Sequence, residues 1–107
     1  MKLMNSALRI PMAGALLVCH AAFAHGPVFD CFIEGDGRVA CEAGFTDGSS
    51  AVGRQIHVQD PSNKVLLQGE IDKGNTYTFQ PPAGNYSVVF FGGTGHEITI
   101  QSSDISR

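Results

Sequence analysis

Soft metal ligands and positive charge are both scarce in this 107-residue chain. Its three methionines, Met1, Met4 and Met12, all lie close to the N-terminus. Lys and Arg together number 7, against 10 Asp and Glu, and they form no basic cluster. A small acidic protein of this kind is a poor match to nucleic acid or to an anionic membrane surface, so we predict neither as a partner.

The chain also lacks an apolar run long enough to cross a membrane. The stretch at residues 10–18 is far shorter than the about 20 residues that a spanning helix requires. It follows the basic residues Lys2 and Arg9 and precedes the small-residue motif Ala22-Phe23-Ala24, which is the pattern of a secretory signal peptide. We therefore predict that residues 1–24 are removed on export to the periplasm or the medium. No transmembrane segment is expected in the mature chain.

Export would leave residues 25–107 as one small domain with two cysteines, Cys31 and Cys41. Lipid anchoring through Cys19 is disfavoured, because Val18 is bulkier than that processing requires. The two remaining cysteines flank Gly35-Asp36-Gly37, a strong hairpin turn, and pairing across this turn places them opposite each other. Because the spacing is not that of a CxxC redox or metal site, we predict a structural Cys31–Cys41 disulfide.

Short segments with strand signals recur along the rest of the chain, and turn residues separate them. No helical period occurs outside the signal segment, and the run from Tyr86 to Phe91 is apolar on both faces, as in a central strand. We predict an all-β fold, a seven-stranded antiparallel β-sandwich. The predicted strands are residues 28–34, 38–45, 54–60, 65–71, 76–80, 85–91 and 96–101.

Three motifs stand out along the strands and turns. They are Asp47-Gly48 with Ala51 and Gly53, Pro81-Pro82-Ala83-Gly84 with Tyr86 and Val88, and Gly95-His96. In these motifs the chain resembles the carboxypeptidase regulatory-like, or transthyretin-like, β-sandwich domains, and among these it is most similar to small exported proteins associated with nickel and cobalt uptake. The resemblance implies a transthyretin-like or immunoglobulin-like sandwich, and a membrane metal transporter or another exported protein as partner. Of the three motifs, only Gly95-His96 bears on metal binding.

Strand parity places several candidate metal ligands at one end of this sandwich. If each connection reverses the chain direction, the first strand, after His25, and the seventh strand, at His96, begin at the same end. The same count brings Asp47 and Asp72 there, and Glu97 follows His96 directly. We predict that His25, His96 and one of these carboxylates converge on a metal ion.

The donor types favour a divalent ion. A terminal His25 would offer its α-amine and its ring Nδ1, which close one chelate ring. With a second imidazole and a carboxylate, this set suits Cu(II) or Ni(II), and Co(II) or Zn(II) are further candidates. The mature chain has no methionine and no free thiol to bind Cu(I). Pro27 has no amide proton, which excludes the amide-ligated copper motif with histidine at mature position three.

Each histidine also has a structural interpretation. His25 can be an incidental product of signal cleavage in a frayed terminus. Alternation along the strand puts His96 on the same face as the inward-facing Ile98 and Ile100. A structural place at the edge of the core therefore agrees with the pattern as well as a role as a metal ligand does. His57 is expected to be exposed in the middle of a strand, away from this end, and ranks behind the others as a ligand.

The sequence therefore predicts a periplasmic or secreted protein that captures or delivers Cu(II), Ni(II) or Co(II) through an N-terminal histidine. The alternative is a structural or protein-interaction module of the cell envelope, in which the histidines are incidental. We predict no enzymatic activity, because no serine, cysteine or carboxylate pair lies in a catalytic motif. The domain is also too small to offer much of the polysaccharide-binding surface that terminal-histidine copper oxygenases need.

Overall fold

Turn residues divide residues 26–107, the part of the chain that the computed structural model describes, into seven β-strands. All seven predicted strands are confirmed, each with bounds within two residues of those expected from the sequence. The predicted signal peptide, residues 1–24, and His25 lie outside the described residues. The strands are β1 (Pro27–Ile33), β2 (Val39–Phe45), β3 (Gln55–Gln59), β4 (Val65–Glu70), β5 (Thr76–Phe79), β6 (Ser87–Phe91) and β7 (Glu97–Gln101).

The strands form two antiparallel sheets, as predicted for a β-sandwich. One sheet has the order β1-β2-β5 and the other β4-β3-β6-β7. Phe29 of the smaller sheet stacks on Phe90 of the larger one, with ring centroids 5.1 Å apart, so aromatic packing joins the two layers. The largest fully buried side chains are Phe90, Ile56, Ile71, Val39, Val58, Val88 and Cys41.

The first hairpin carries the predicted disulfide. The Glu34 amide donates to the Arg38 carbonyl at 2.8 Å, and this register aligns Cys31 with Cys41 across β1 and β2. The two cysteines are bonded and buried in the core. On the chain-entropy model, closing a loop of this length stabilises the fold by about 3 kcal/mol. That is a large share of the stability that a domain of this size has.

The C-terminal residues cover part of one sheet edge. The Ile33 amide at the end of β1 donates to the Ser106 carbonyl at 2.9 Å, and Ile105 is buried beside it. A three-residue 3-10 helix, Ser102–Asp104, leads into this contact. Within residues 26–107 no helix is long and apolar enough to cross a membrane.

The opposite edge of the sandwich depends on a close approach between the two sheets. Gly69 lies in the edge strand β4 of the larger sheet, and Tyr77 lies in the edge strand β5 of the smaller one. A Cβ atom added to Gly69 would overlap the Tyr77 ring. Glycine at this position therefore lets the ring cover the strand and close this edge of the core.

Gly69→Ala is expected to lower the free energy of unfolding by about 1–3 kcal/mol, because the methyl group must displace the Tyr77 ring. Gly44→Ala is the matched control, since a Cβ at this other strand glycine meets nothing within 4 Å. It should change stability by less than about 0.5 kcal/mol. Urea denaturation followed by tyrosine fluorescence measures both values, and equal losses would contradict the proposed role of Gly69.

Candidate functional site

Several connections meet at the end of the sandwich that carries His96, and we call this the His96 end. The amide of Gly26 donates to Thr46 Oγ1, and the Thr46 amide donates to the Gly26 carbonyl, both at 2.9 Å. The Ser50 hydroxyl donates to Asn75 Oδ1 at 3.3 Å. Ser49 and Ser50 also border a cleft together with Thr94 and His96, so these connections lie at the end that strand parity predicted. The His96 end comprises Gly26 and residues 46–54, 71–75 and 92–96.

A tight turn fixes the backbone of His96. The Gly92 amide donates to the His96 carbonyl, and the His96 amide donates to the Gly93 carbonyl, both at 2.9 Å. Gly93 and Gly95 adopt positive φ angles of 115° and 77°, which other residues rarely take up. A Cβ at Gly92 would approach the His96 carbonyl oxygen to 2.8 Å and the Phe90 ring to 3.0 Å. The glycine-rich sequence thus holds His96 close to the core.

The half-buried His96 borders an open cleft of about 420 Å³, which we call the His96 cleft. The 46–54 connection forms one wall and the turn at residues 92–96 forms the other. The lining residues are Phe45, Ser49, Ser50, Arg54, Gly92, Gly93, Thr94 and His96.

Two of the predicted carboxylate ligands accept hydrogen bonds from residues of the turns in which they lie. Asp72 accepts hydrogen bonds from the amides of Gly74 and Thr76 at 2.8 and 3.1 Å, and from the Thr76 hydroxyl. Asp47 accepts from the Ser49 amide at 2.9 Å and from its hydroxyl at 2.6 Å. Both arrangements stabilise a reversal of the chain, as aspartate commonly does in turns.

These turn contacts also change the acidity of Asp72. Hydrogen bonds from the Thr76 amide, then from the Thr76 hydroxyl and the Gly74 amide, lower its pKa below the ordinary value of 3.8, against a small opposing effect of desolvation. The carboxylate is thus already engaged as an acceptor in the folded chain.

Within residues 26–107 no group of three or more His, Cys, Asp and Glu side chains could hold a metal ion. His96 and Glu97 are neighbours in sequence, but Glu97 is exposed and borders a second depression, with Gln55 and Phe91, and not the His96 cleft. A metal centre at this end would therefore require His25, which lies outside the described residues, and the predicted ligand set stays a prediction.

Strand β1 begins beside the His96 cleft. Pro27, its first residue, pairs with Phe45 in the β1–β2 register. Phe45 in turn lines the His96 cleft. The start of β1 and the turn that carries His96 therefore lie at the same end of the sandwich.

The prediction that His57 is exposed is wrong. Its ring packs edge-on against Phe91 with centroids 4.6 Å apart, and its Nε2 is buried without a hydrogen-bond partner among residues 26–107. Alternation correctly assigned His57 to the outer face of β3. It could not show that β6 lies beside β3 and presents Phe91 and the buried Val89 on that same face.

Sequence reasoning did not single out Arg54, which also lines the His96 cleft. Its guanidinium carbon lies 5.7 Å from the Phe45 ring centroid, in cation–π range. Its Nη1 is 3.5 Å from where a Cβ on Gly93 would stand, so it lies against the 92–96 turn. Arg54 directly precedes β3, and strand parity alone would have assigned it to this end.

No protein-family model, curated protein or solved structure matches the chain. The resemblance to carboxypeptidase regulatory-like domains therefore remains a prediction from three sequence motifs. Function has to be argued from the residues at the His96 end themselves.

The Asp72 turn should make stability depend on pH in a defined direction. Because the pKa is lowered in the folded state, the contribution of Asp72 is present above its ordinary pKa of 3.8 and is lost as pH falls through the folded value. Asp72→Asn should therefore be less stable than wild type at about pH 6, and the difference should shrink towards about pH 2.5.

Urea denaturation at both pH values measures this difference. Asp104→Asn, in the exposed 3-10 helix, removes the same charge outside this turn and serves as the control. A stability loss in Asp72→Asn that is the same at both pH values would show that the charge of Asp72 is unimportant.

Proposed function

We propose that the protein binds one divalent transition-metal ion, Cu(II) or Ni(II), at the His96 end after export has made His25 the first residue. The observation that carries this proposal is the pairing of Pro27 with Phe45, which lines the same cleft as His96. This pairing supports the proposal, because β1, which His25 precedes in the sequence, starts beside the cleft that His96 lines.

The chemistry of the ligands supports a borderline divalent ion. His25 would supply its α-amine and Nδ1, and His96 would supply the second imidazole. Asp47, Asp72 and Glu97 are the candidates for an oxygen ligand; Asp47 and Asp72 already accept hydrogen bonds within their turns, and Glu97 is exposed. The acidic balance of residues 25–107, with ten acidic and five basic side chains, adds a favourable field for a cation.

The proposed setting is the periplasm or the medium, where the protein would capture the ion or pass it to a membrane transporter or another exported protein. The buried Cys31–Cys41 disulfide supports an oxidising compartment. It also leaves residues 26–107 without a free thiol, so the proposed chemistry is that of nitrogen and oxygen donors.

A protein-interaction module is the second candidate, and one observation favours it. Val65 and Leu66 are 40% exposed and Leu67 is 37% exposed, and all three lie on the edge strand β4. Exposed apolar residues on a sheet edge can pair with another chain. In this function the histidines would make no contribution.

Calorimetric titration of the exported protein with Cu(II) and Ni(II) tests the metal proposal, after mass spectrometry has established that the chain begins at His25. We expect one ion per chain. His96→Gln, and separately one alanine inserted before His25, should each weaken binding by at least about tenfold, because each removes a nitrogen donor.

His57→Gln is the matched control, since it removes a histidine from the outer face of β3 and should leave the affinity unchanged. Equal affinity of the native and extended proteins would overturn the role of His25. Absence of tight binding to the native protein, together with loss of a co-purifying partner in Leu66→Asp, would instead support the interaction module.

A further inference from the structure

The guanidinium of the exposed Arg54 contacts two parts of the His96 end. The Phe45 ring lies on its core side, at 5.7 Å from ring centroid to guanidinium carbon. Its Nη1 is 3.5 Å from where a Cβ on Gly93 would stand, so it borders the 92–96 turn at van der Waals distance. An arginine that rests against a ring and a turn samples fewer conformations than one without contacts, which lowers the entropy cost of binding a ligand.

Arg54 forms no ion pair among residues 26–107. Asp47, the acidic residue of the adjoining connection, accepts hydrogen bonds from Ser49, and Glu97 borders a second depression that Arg54 also lines. A guanidinium offers five N–H donors in a planar fork. The fork of Arg54 is therefore available to a ligand.

The His96 cleft supplies the surroundings of a small-molecule site. Its volume of about 420 Å³ lies in the range of such sites, and the Phe45 ring provides an apolar wall. The hydroxyls of Ser49 and Ser50 already donate to Asp47 and Asn75. Arg54 supplies the charged side-chain donors of the cleft, and Thr94 adds a hydroxyl.

We propose that the His96 cleft binds the carboxylate group of a small organic anion through Arg54. The planar fork matches a carboxylate with two parallel hydrogen bonds. Glu97 borders Arg54 in the adjoining depression, and its negative charge repels a dianion such as phosphate more strongly than a singly charged carboxylate. This site goes beyond the proposed metal function, since it requires neither His25 nor a bound ion.

Metal-free, ¹⁵N-labelled exported protein, titrated with acetate at constant ionic strength, tests the proposal by NMR. Acetate should shift the amide signals of Arg54, Gly93 and Thr94 in a saturable way. Acetamide, which has the same shape without the charge, should bind at least about fivefold more weakly, and so should inorganic phosphate. This comparison uses the wild-type chain alone, so it does not depend on how any variant folds.

Arg54→Gln should weaken acetate binding by at least about fivefold. Arg38→Gln, which removes the same charge from the hairpin turn at the opposite end, should leave it unchanged. Equal affinity for acetate and acetamide, tighter binding of phosphate, or an unchanged affinity in Arg54→Gln would each overturn the proposal. Because the protein is free of metal, these results are independent of the outcome for His25.

Discussion

The burial of Phe90 is the interaction on which the rest of this structure depends. Its ring stacks on Phe29 of the smaller sheet and lies 6.4 Å from the Phe45 ring, measured between centroids. Phe45 supports Arg54, and the Phe90 ring also limits the space at Gly92, where the His96 turn begins. The same side chain thus joins the two sheets and sets the positions of both candidate ligand-binding groups. A cavity here would disturb the core and the His96 end together.

The two proposed ligands at this end have opposite charges, and their coexistence has a simple electrostatic basis. A guanidinium in the same cleft as His96 opposes the approach of a cation, and the effect is substantial at a few ångströms even near the surface. A carboxylate held by Arg54 would remove this repulsion and place oxygen atoms in the cleft. Metal and organic anion would then bind with positive coupling, and each would raise the affinity for the other.

Sequence reasoning succeeded where the controlling interactions are local. Strand positions and the Cys31–Cys41 pairing follow from alternation and from turn chemistry such as Gly35-Asp36-Gly37, and antiparallel parity then located His96 relative to the 46–54 connection. It failed where the exposure of a side chain depends on which strands lie side by side. The burial of His57 depends on β6 lying beside β3, and the exposed residues of β4 depend on that strand being an edge. The residues of a single strand show neither which strand lies beside it nor whether it forms the edge of a sheet.

The two histidines of the proposed metal site precede strands that belong to different layers of the sandwich. His25 precedes β1 of the three-stranded sheet, and His96 precedes β7 of the four-stranded sheet. An ion held by both would therefore link the two sheets, at the end opposite the turn that connects β1 and β2. Any ligand that binds only the folded chain stabilises it in proportion to the logarithm of its concentration over its dissociation constant. A domain this small has little stability of its own, so metal occupancy would act on its folding as well as on its function.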